Sequence, residues 1–108
     1  MTEQSITRGS GNVFADLGRP DAQDRQTKTR LAKAVNDILA TRQLRQADAA
    51  RLLGIPQPRV SALVNYRLNE FSVEKLISLL TALEQDVHIL IRPRAGTGVG
   101  EVSVETRR

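Results

Sequence analysis

Gln57, Pro58, Arg59, Ser61 and Ala62 set an amide, a guanidinium, a hydroxyl and small apolar groups within six consecutive positions, with no carboxylate among them. This is chemistry that suits base-pair edges. An amide can pair bidentately with adenine, a guanidinium can approach guanine or phosphate, and a hydroxyl can bond several edges. Pro58 and Ala62 either meet a thymine methyl or remain passive surface. Around this set Arg42, Arg45, Gln46, Arg67 and Asn69 place donors at the ends of neighbouring elements. Such groups hold a sugar-phosphate backbone and fix register without reading sequence. Any one of these side chains can equally stand solvated.

Two short helices crossing at a tight turn are needed to present these residues together. Gly54 can adopt the left-handed backbone conformation that ends a helix abruptly, and Ile55 follows at once. Pro56 suits the opening of a second helix, because a proline in the first turn forfeits no helical hydrogen bond. Val60 and Leu63 recur at core-facing intervals beyond it. The residues at 57, 58, 59, 61 and 62 are thereby left off the core. A plain helical hairpin would show the same apolar spacing, but it would give no reason for a polar and basic outer face without acids.

The stretch from Gln46 to Asn65, QADAARLLGIPQPRVSALVN, resembles the helix-turn-helix of lambda-repressor-like (Xre, or Cro/C1-type) regulators. Gln46 opens the first helix, Ala50 and Gly54 occupy the small positions of the motif, and Val60 and Leu63 are its apolar anchors. NVFADLGRPDA ahead of it and FSVEKLISLLTALEQDVHILIRPR behind it are similar to a branch with many antitoxins of HigA type, so the likeness covers Asn12 to Arg94. It implies an all-α bundle of about four helices with one C-terminal β-strand. It further implies a homodimer on a palindromic operator in double-stranded DNA, often partnered by a small toxin of RelE/HigB type. A stand-alone or phage-type repressor is the alternative within that class, and a protein-interaction adaptor without DNA affinity is the alternative outside it.

The flanking sequence supplies the scaffold. Residues 1–12 are polar and predict a disordered N-terminal segment, with Val13 and Phe14 as the first apolar anchors. Gly18, Arg19 and Pro20 break the chain, Asp21 then caps a helix, and Asp24 favours its positive end. Leu31, Ala34, Val35, Ile38 and Leu39 give that helix an apolar face up to about Thr41. Its first third, AQDRQTKTR, lacks such a face and is either a solvated extension or a surface for a partner. Helices are expected over about Arg45 to Leu53 and Pro56 to Asn65, with Ala49, Ala50, Leu53, Ile55, Val60, Leu63 and Val64 in a shared core. After a loop at 65–69, Ser72 caps a fourth helix, and Phe71 and Leu76 stand at the two positions of a hydrophobic staple. Leu76, Leu79, Leu80 and Leu83 form its buried stripe, which ends near Glu84 or Gln85.

From Asp86 to Arg92 the period changes to two. Val87, Ile89 and Ile91 alternate with His88, Leu90 and Arg92, the pattern of a strand. A lone strand requires a partner, and the copy in a second protomer is the expected one, which makes Val87, Ile89 and Ile91 the predicted dimer interface. A short extended piece near Val13 and Phe14 is the alternative. The folded domain is thus expected over 13–94, followed by a flexible tail over 95–108 in which Val102 and Val104 could add a marginal edge strand.

Composition narrows the remaining classes. With 108 residues, 40% hydrophobic and 26% charged, the chain reads as one domain whose small core would gain from burial across a dimer. The net charge of +4 agrees with a polyanionic partner but argues weakly, since several arginines lie at the ends. There is no cysteine and one histidine, so thiolate zinc sites and two-histidine metal motifs are excluded. His88 alternates with the apolar strand residues and reads as a strand-surface or interface residue. Asp16, Asp21 and Asp24 form no evident acid pair. GTGVG near the end has too few residues behind it for a phosphate-binding helix. No enzyme activity, metal or cofactor is expected. The polar start and the lack of a long apolar run predict a cytoplasmic protein without membrane contact.

Overall fold

The computed structural model describes residues 19–107, with side chains from residue 22 onward. Readings that concern residues 1–18, including the Val13 and Phe14 anchors, lie outside the described residues. Four helices follow in order: α1 over Arg19–Thr41, α2 over Gln46–Leu53, α3 over Gln57–Val64 and α4 over Val73–Ala82. Helix α1 begins two residues before Asp21, which therefore lies inside the helix. Pro20 falls in the first turn, where its missing N–H has no helical partner to lose.

One core joins the four helices. Leu31, Ala32, Val35 and Leu39 from α1 meet Ala49 and Leu53 from α2, Val60 and Leu63 from α3, and Leu76, Leu79 and Leu80 from α4, with Ile55, Leu68, Phe71 and Leu83 closing it from the connections. Helix α1 rests mainly on α4, while α2 and α3 pack on each other. Phe71, Leu63, Leu76, Leu79 and Leu83 are the largest side chains wholly withdrawn from solvent. Burial of each is worth roughly 1.5 to 3 kcal/mol relative to exposure.

The helix ends follow from local chemistry. The Ser72 hydroxyl accepts from the Lys75 amide at 2.9 Å, and Phe71 and Leu76 are both buried beside it, as the staple spacing predicts. Gly54 has φ 71°. Its amide and that of Ile55 both donate to the Ala50 carbonyl, at 2.9 and 3.1 Å, so one carbonyl near the end of α2 accepts twice within a two-residue stop. Gln43, Tyr66 and Glu84 also have positive φ, at 54°, 58° and 66°. Each stands just past the end of a helix.

Asn36 in α1 and Arg42 just past its end reach across the bundle. Asn36 Nδ2 donates to the Leu63 carbonyl at 3.1 Å, which anchors the last turn of α3. Arg42 Nη2 donates to the Leu83 carbonyl at 2.9 Å and lies 3.6 Å from the Glu84 carboxylate. The polar first third of α1 is only partly solvated, because Thr27 is buried and Lys28 pairs with Asp24 at 3.4 Å.

The expected strand is not formed. Among the described residues there is no β-ladder, and Asp86 to Arg92 runs as irregular chain. Val87 packs against the core, whereas Ile89, Leu90 and Ile91 are 76%, 80% and 89% exposed. The physical reason is that strand hydrogen bonds need a second strand alongside, and the described residues place none there. The tail over 95–107 forms no strand either. Val102 N donates to Gln23 Oε1 at 3.2 Å, and Val104 is half-buried against α1, so the tail lies along the first helix. Among the described residues, no helix is long and apolar enough to cross a membrane.

Candidate nucleic-acid interface

Helix α3 sits with Val60 and Leu63 fully buried and its opposite side turned outward. Pro56 is its N-cap, with φ −64° and ψ 150°, and Pro58 lies in the first turn. Two prolines at a helix start remove N–H groups that would otherwise need partners and hold φ near the helical value. The first turn of α3 is therefore rigid without a side-chain cap. Gln57 and Pro58, in that turn, are exposed, while Arg59, Ser61 and Ala62 are half-buried. Val64, assigned to the core by its spacing, is 40% exposed at the far end of the helix.

The predicted backbone-contacting residues occupy element ends. Arg45 is the N-cap of α2, in extended conformation and without a side-chain cap bond, and Gln46 begins the helix beside it. Both are exposed. Arg67 and Asn69 are exposed in the connection from α3 to α4, which is pinned by backbone bonds from Arg67 N to Ala62 O at 2.8 Å and from Phe71 N to Leu68 O at 3.0 Å. Leu68, between them, is buried. Alternation of a buried leucine with exposed polar neighbours keeps this loop close to the end of α3 while its donors face water.

Arg42 stands apart from that group. Its bonds to Leu83 and Glu84 place it at the junction of α1 and α4, a role in the fold that spacing along the chain did not announce. On α2, Arg51 is paired with Asp48 three residues earlier. Ser72 is engaged as a helix cap.

Two features of the face escaped the sequence reading. Glu70 brings a carboxylate to Arg59, with Arg59 Nε 3.5 Å from Glu70 Oε1, and the Arg59 guanidinium carbon lies 5.6 Å from the centroid of the Phe71 ring. Arg59 lies in α3 and Glu70 in the connection beyond its end, so no repeat within one element links the pair. Tyr66 is the other. It is 45% exposed in the left-handed region, an uncommon backbone state for a bulky residue, between α3 and the exposed Arg67.

Taken together, the outer side of α3 and the two flanking connections carry amide, guanidinium and hydroxyl donors on a rigid, well-packed pair of helices. Several are spread along an open surface instead of converging on an enclosed pocket, an arrangement suited to an extended ligand with repeating acceptors.

Comparison with known proteins places the same residues in context. A family model described as a helix-turn-helix domain matches residues 13–92. A solved structure of a protein assigned to the XRE family of transcriptional regulators is similar to this chain with a TM-score of 0.78 and 52% sequence identity, over 82% of this chain and 100% of the other. No curated protein matches the chain.

Proposed function

This chain belongs to the helix-turn-helix domain family, among its XRE-type members, and on that premise we propose that it is a sequence-specific, DNA-binding transcriptional regulator. The observation that carries the reading is the placement of α3. Its apolar residues fasten it to the core and leave Gln57 exposed and Arg59 half-buried in its first turn, while exposed donors stand before α2 and in the connection after α3. Docked with its N-terminal end in a major groove, α3 would offer Gln57, Pro58, Arg59, Ser61 and Ala62 to base edges. Arg45, Gln46, Arg67 and Asn69 would meet phosphates. Arg42, held by Leu83 and Glu84, would act mainly through the fold. No catalytic role is proposed.

The working form is a homodimer paired through Asp86 to Arg92. Antiparallel pairing of that segment with its copy about Ile89 sets Val87 against Ile91 of the second protomer and Asp86 against Arg92. On one face Val87, Ile89 and Ile91 then meet apolar partners, and on the other Asp86 meets Arg92 while His88 stands opposite Leu90; the apolar and opposite-charge pairs are of the kind that stabilises neighbouring strands. Two α3 helices related by such a two-fold axis would read half-sites one DNA turn apart, about 34 Å, on a palindromic operator.

Within this class the biological role we favour is that of a cytoplasmic antitoxin repressing its own operon, with a small RelE/HigB-type toxin as partner. The resemblance over Asn12 to Arg94 supports it. The polar first third of α1 offers a surface that base reading does not use. Expression of each adjacent small gene, alone and with this chain, tests the role. Growth arrest relieved by co-expression, with a co-purifying complex, is expected; harmless neighbours that do not co-purify leave a stand-alone repressor.

DNA reading itself is tested by comparing a selected operator with random duplex. Gln57→Ala should weaken operator binding by about 1 to 3 kcal/mol while leaving random duplex nearly unchanged. Arg67→Ala should weaken both alike and lower the salt slope by about one. Equal losses on both DNAs for Gln57→Ala would remove Gln57 from the base-reading set.

A further inference from the structure

We propose that Glu70 is a positioning residue for base reading, holding the Arg59 guanidinium in place for guanine; the inference rests on the DNA-binding role proposed above. Three observations meet at this point. The carboxylate contacts Arg59 through Nε, at 3.5 Å. The Phe71 ring lies against the guanidinium at 5.6 Å, and that ring is 1% exposed, so it is a fixed wall and not a mobile neighbour. Glu70 itself is carried on a tight turn within the α3–α4 connection, between Leu68 and Phe71, which are both buried and joined by the Phe71 N to Leu68 O bond.

An arginine side chain has several free torsions, and ordering it on DNA opposes binding. Here that ordering is done beforehand. A carboxylate on Nε leaves both terminal nitrogens for a bidentate pair with guanine O6 and N7, the commonest specific contact in a major groove. Glu70 has a second effect through its charge. Its side chain is 78% exposed, against 39% for Arg59, so it stands on the surface that would face phosphates. There it disfavours close approach of any duplex that does not draw on Arg59. Both effects act in the same direction, raising operator affinity relative to random DNA.

The experiment begins with selection of duplexes from a randomised pool by the full chain. Affinity is then measured for the enriched duplex and for the random pool, giving a specificity ratio for the wild type, Glu70→Gln, Glu70→Asp, Arg59→Ala and the Glu70→Gln, Arg59→Ala pair. Glu70→Gln should lower the ratio about 3- to 10-fold, the scale expected for ordering one long side chain, with an unchanged denaturation midpoint. Glu70→Asp keeps the charge but shortens the reach, so it should lose operator affinity without gaining affinity for the random pool. In the Arg59→Ala background, Glu70→Gln should no longer weaken operator binding. An unchanged ratio for Glu70→Gln overturns the proposal. So does an equal fall in the Arg59→Ala background, which would make Glu70 a bulk charge acting without Arg59. Failure of the pool to enrich any sequence would overturn the DNA-reading role itself, and this inference with it.

Discussion

The α2–α3 pair and the segment from Asp86 to Arg92 are both rich in aliphatic residues, yet they finish in opposite surroundings. In the pair, Leu53, Ile55, Val60 and Leu63 are buried; in the segment, Ile89, Leu90 and Ile91 face solvent and only Val87 reaches the core. The difference lies in the backbone. A helix satisfies its own N–H and C=O groups, so its apolar face needs only another apolar face nearby. An extended segment leaves those groups for a neighbouring strand, and among the described residues none is supplied. The first region is therefore completed within one chain, whereas the second is left without a neighbouring strand among the described residues.

The sharpest test of this contrast is Leu63→Ala. Leu63 is wholly buried and its own carbonyl is held by Asn36, so truncation should cost about 2 to 5 kcal/mol of stability. Chemical denaturation measures it, and a loss under 1 kcal/mol would mean that α3 is not part of the core. Gly54→Val should follow, at about 1 to 3 kcal/mol. A β-carbon at Gly54 would meet nothing within 4 Å, so the penalty is conformational and not steric crowding. An unaltered midpoint for that variant would show that the turn tolerates side chains at positive φ.

Arg42→Ala sharpens the comparison from the other side. Removing a charged donor from a half-buried carbonyl should cost about 1 kcal/mol, and operator affinity at fixed folded fraction should stay nearly constant. Loss of DNA affinity with unchanged stability would return Arg42 to the phosphate-contacting set. Smallest in its effect on the helices is Ile89→Pro, expected to change their stability by no more than about 0.5 kcal/mol. Its consequence appears in sedimentation, because in the proposed dimer a proline removes a ladder donor and should leave monomers. A variant that still sediments as a dimer would move the interface away from this segment.

Much of the fold was legible along the chain because its signals are local. The left-handed turn at Gly54, the Ser72 cap with its Phe71 and Leu76 staple, and the leucine stripe of α4 each involve residues within about five positions of one another, the range over which helix geometry acts. Helix bounds differed mainly at α1, where Pro20 allows an earlier start. The family resemblance rests on the same stretch, since Gly54, Val60 and Leu63 serve the turn and the core together.

What tertiary structure alone decided involves long separations. Arg42 and Leu83, Asn36 and Leu63, Gln23 and Val102, and Arg59 and Glu70 follow no repeat, because their meeting depends on how finished helices cross. Arg42 shows the consequence: a basic residue at a helix end suits either a phosphate or a distant carbonyl, and only the approach of α4 selects the carbonyl. Period-two alternation from Val87 to Ile91 likewise states a capacity to pair, without stating that a partner strand is present. Sequence by itself determined which segments become helices and which side of α3 stays polar, because those outcomes depend on near neighbours. The positions of α4, the Glu70 loop and the tail over α1 had to wait for the packed core, because burial and charge pairing act between surfaces that exist only once the helices are assembled.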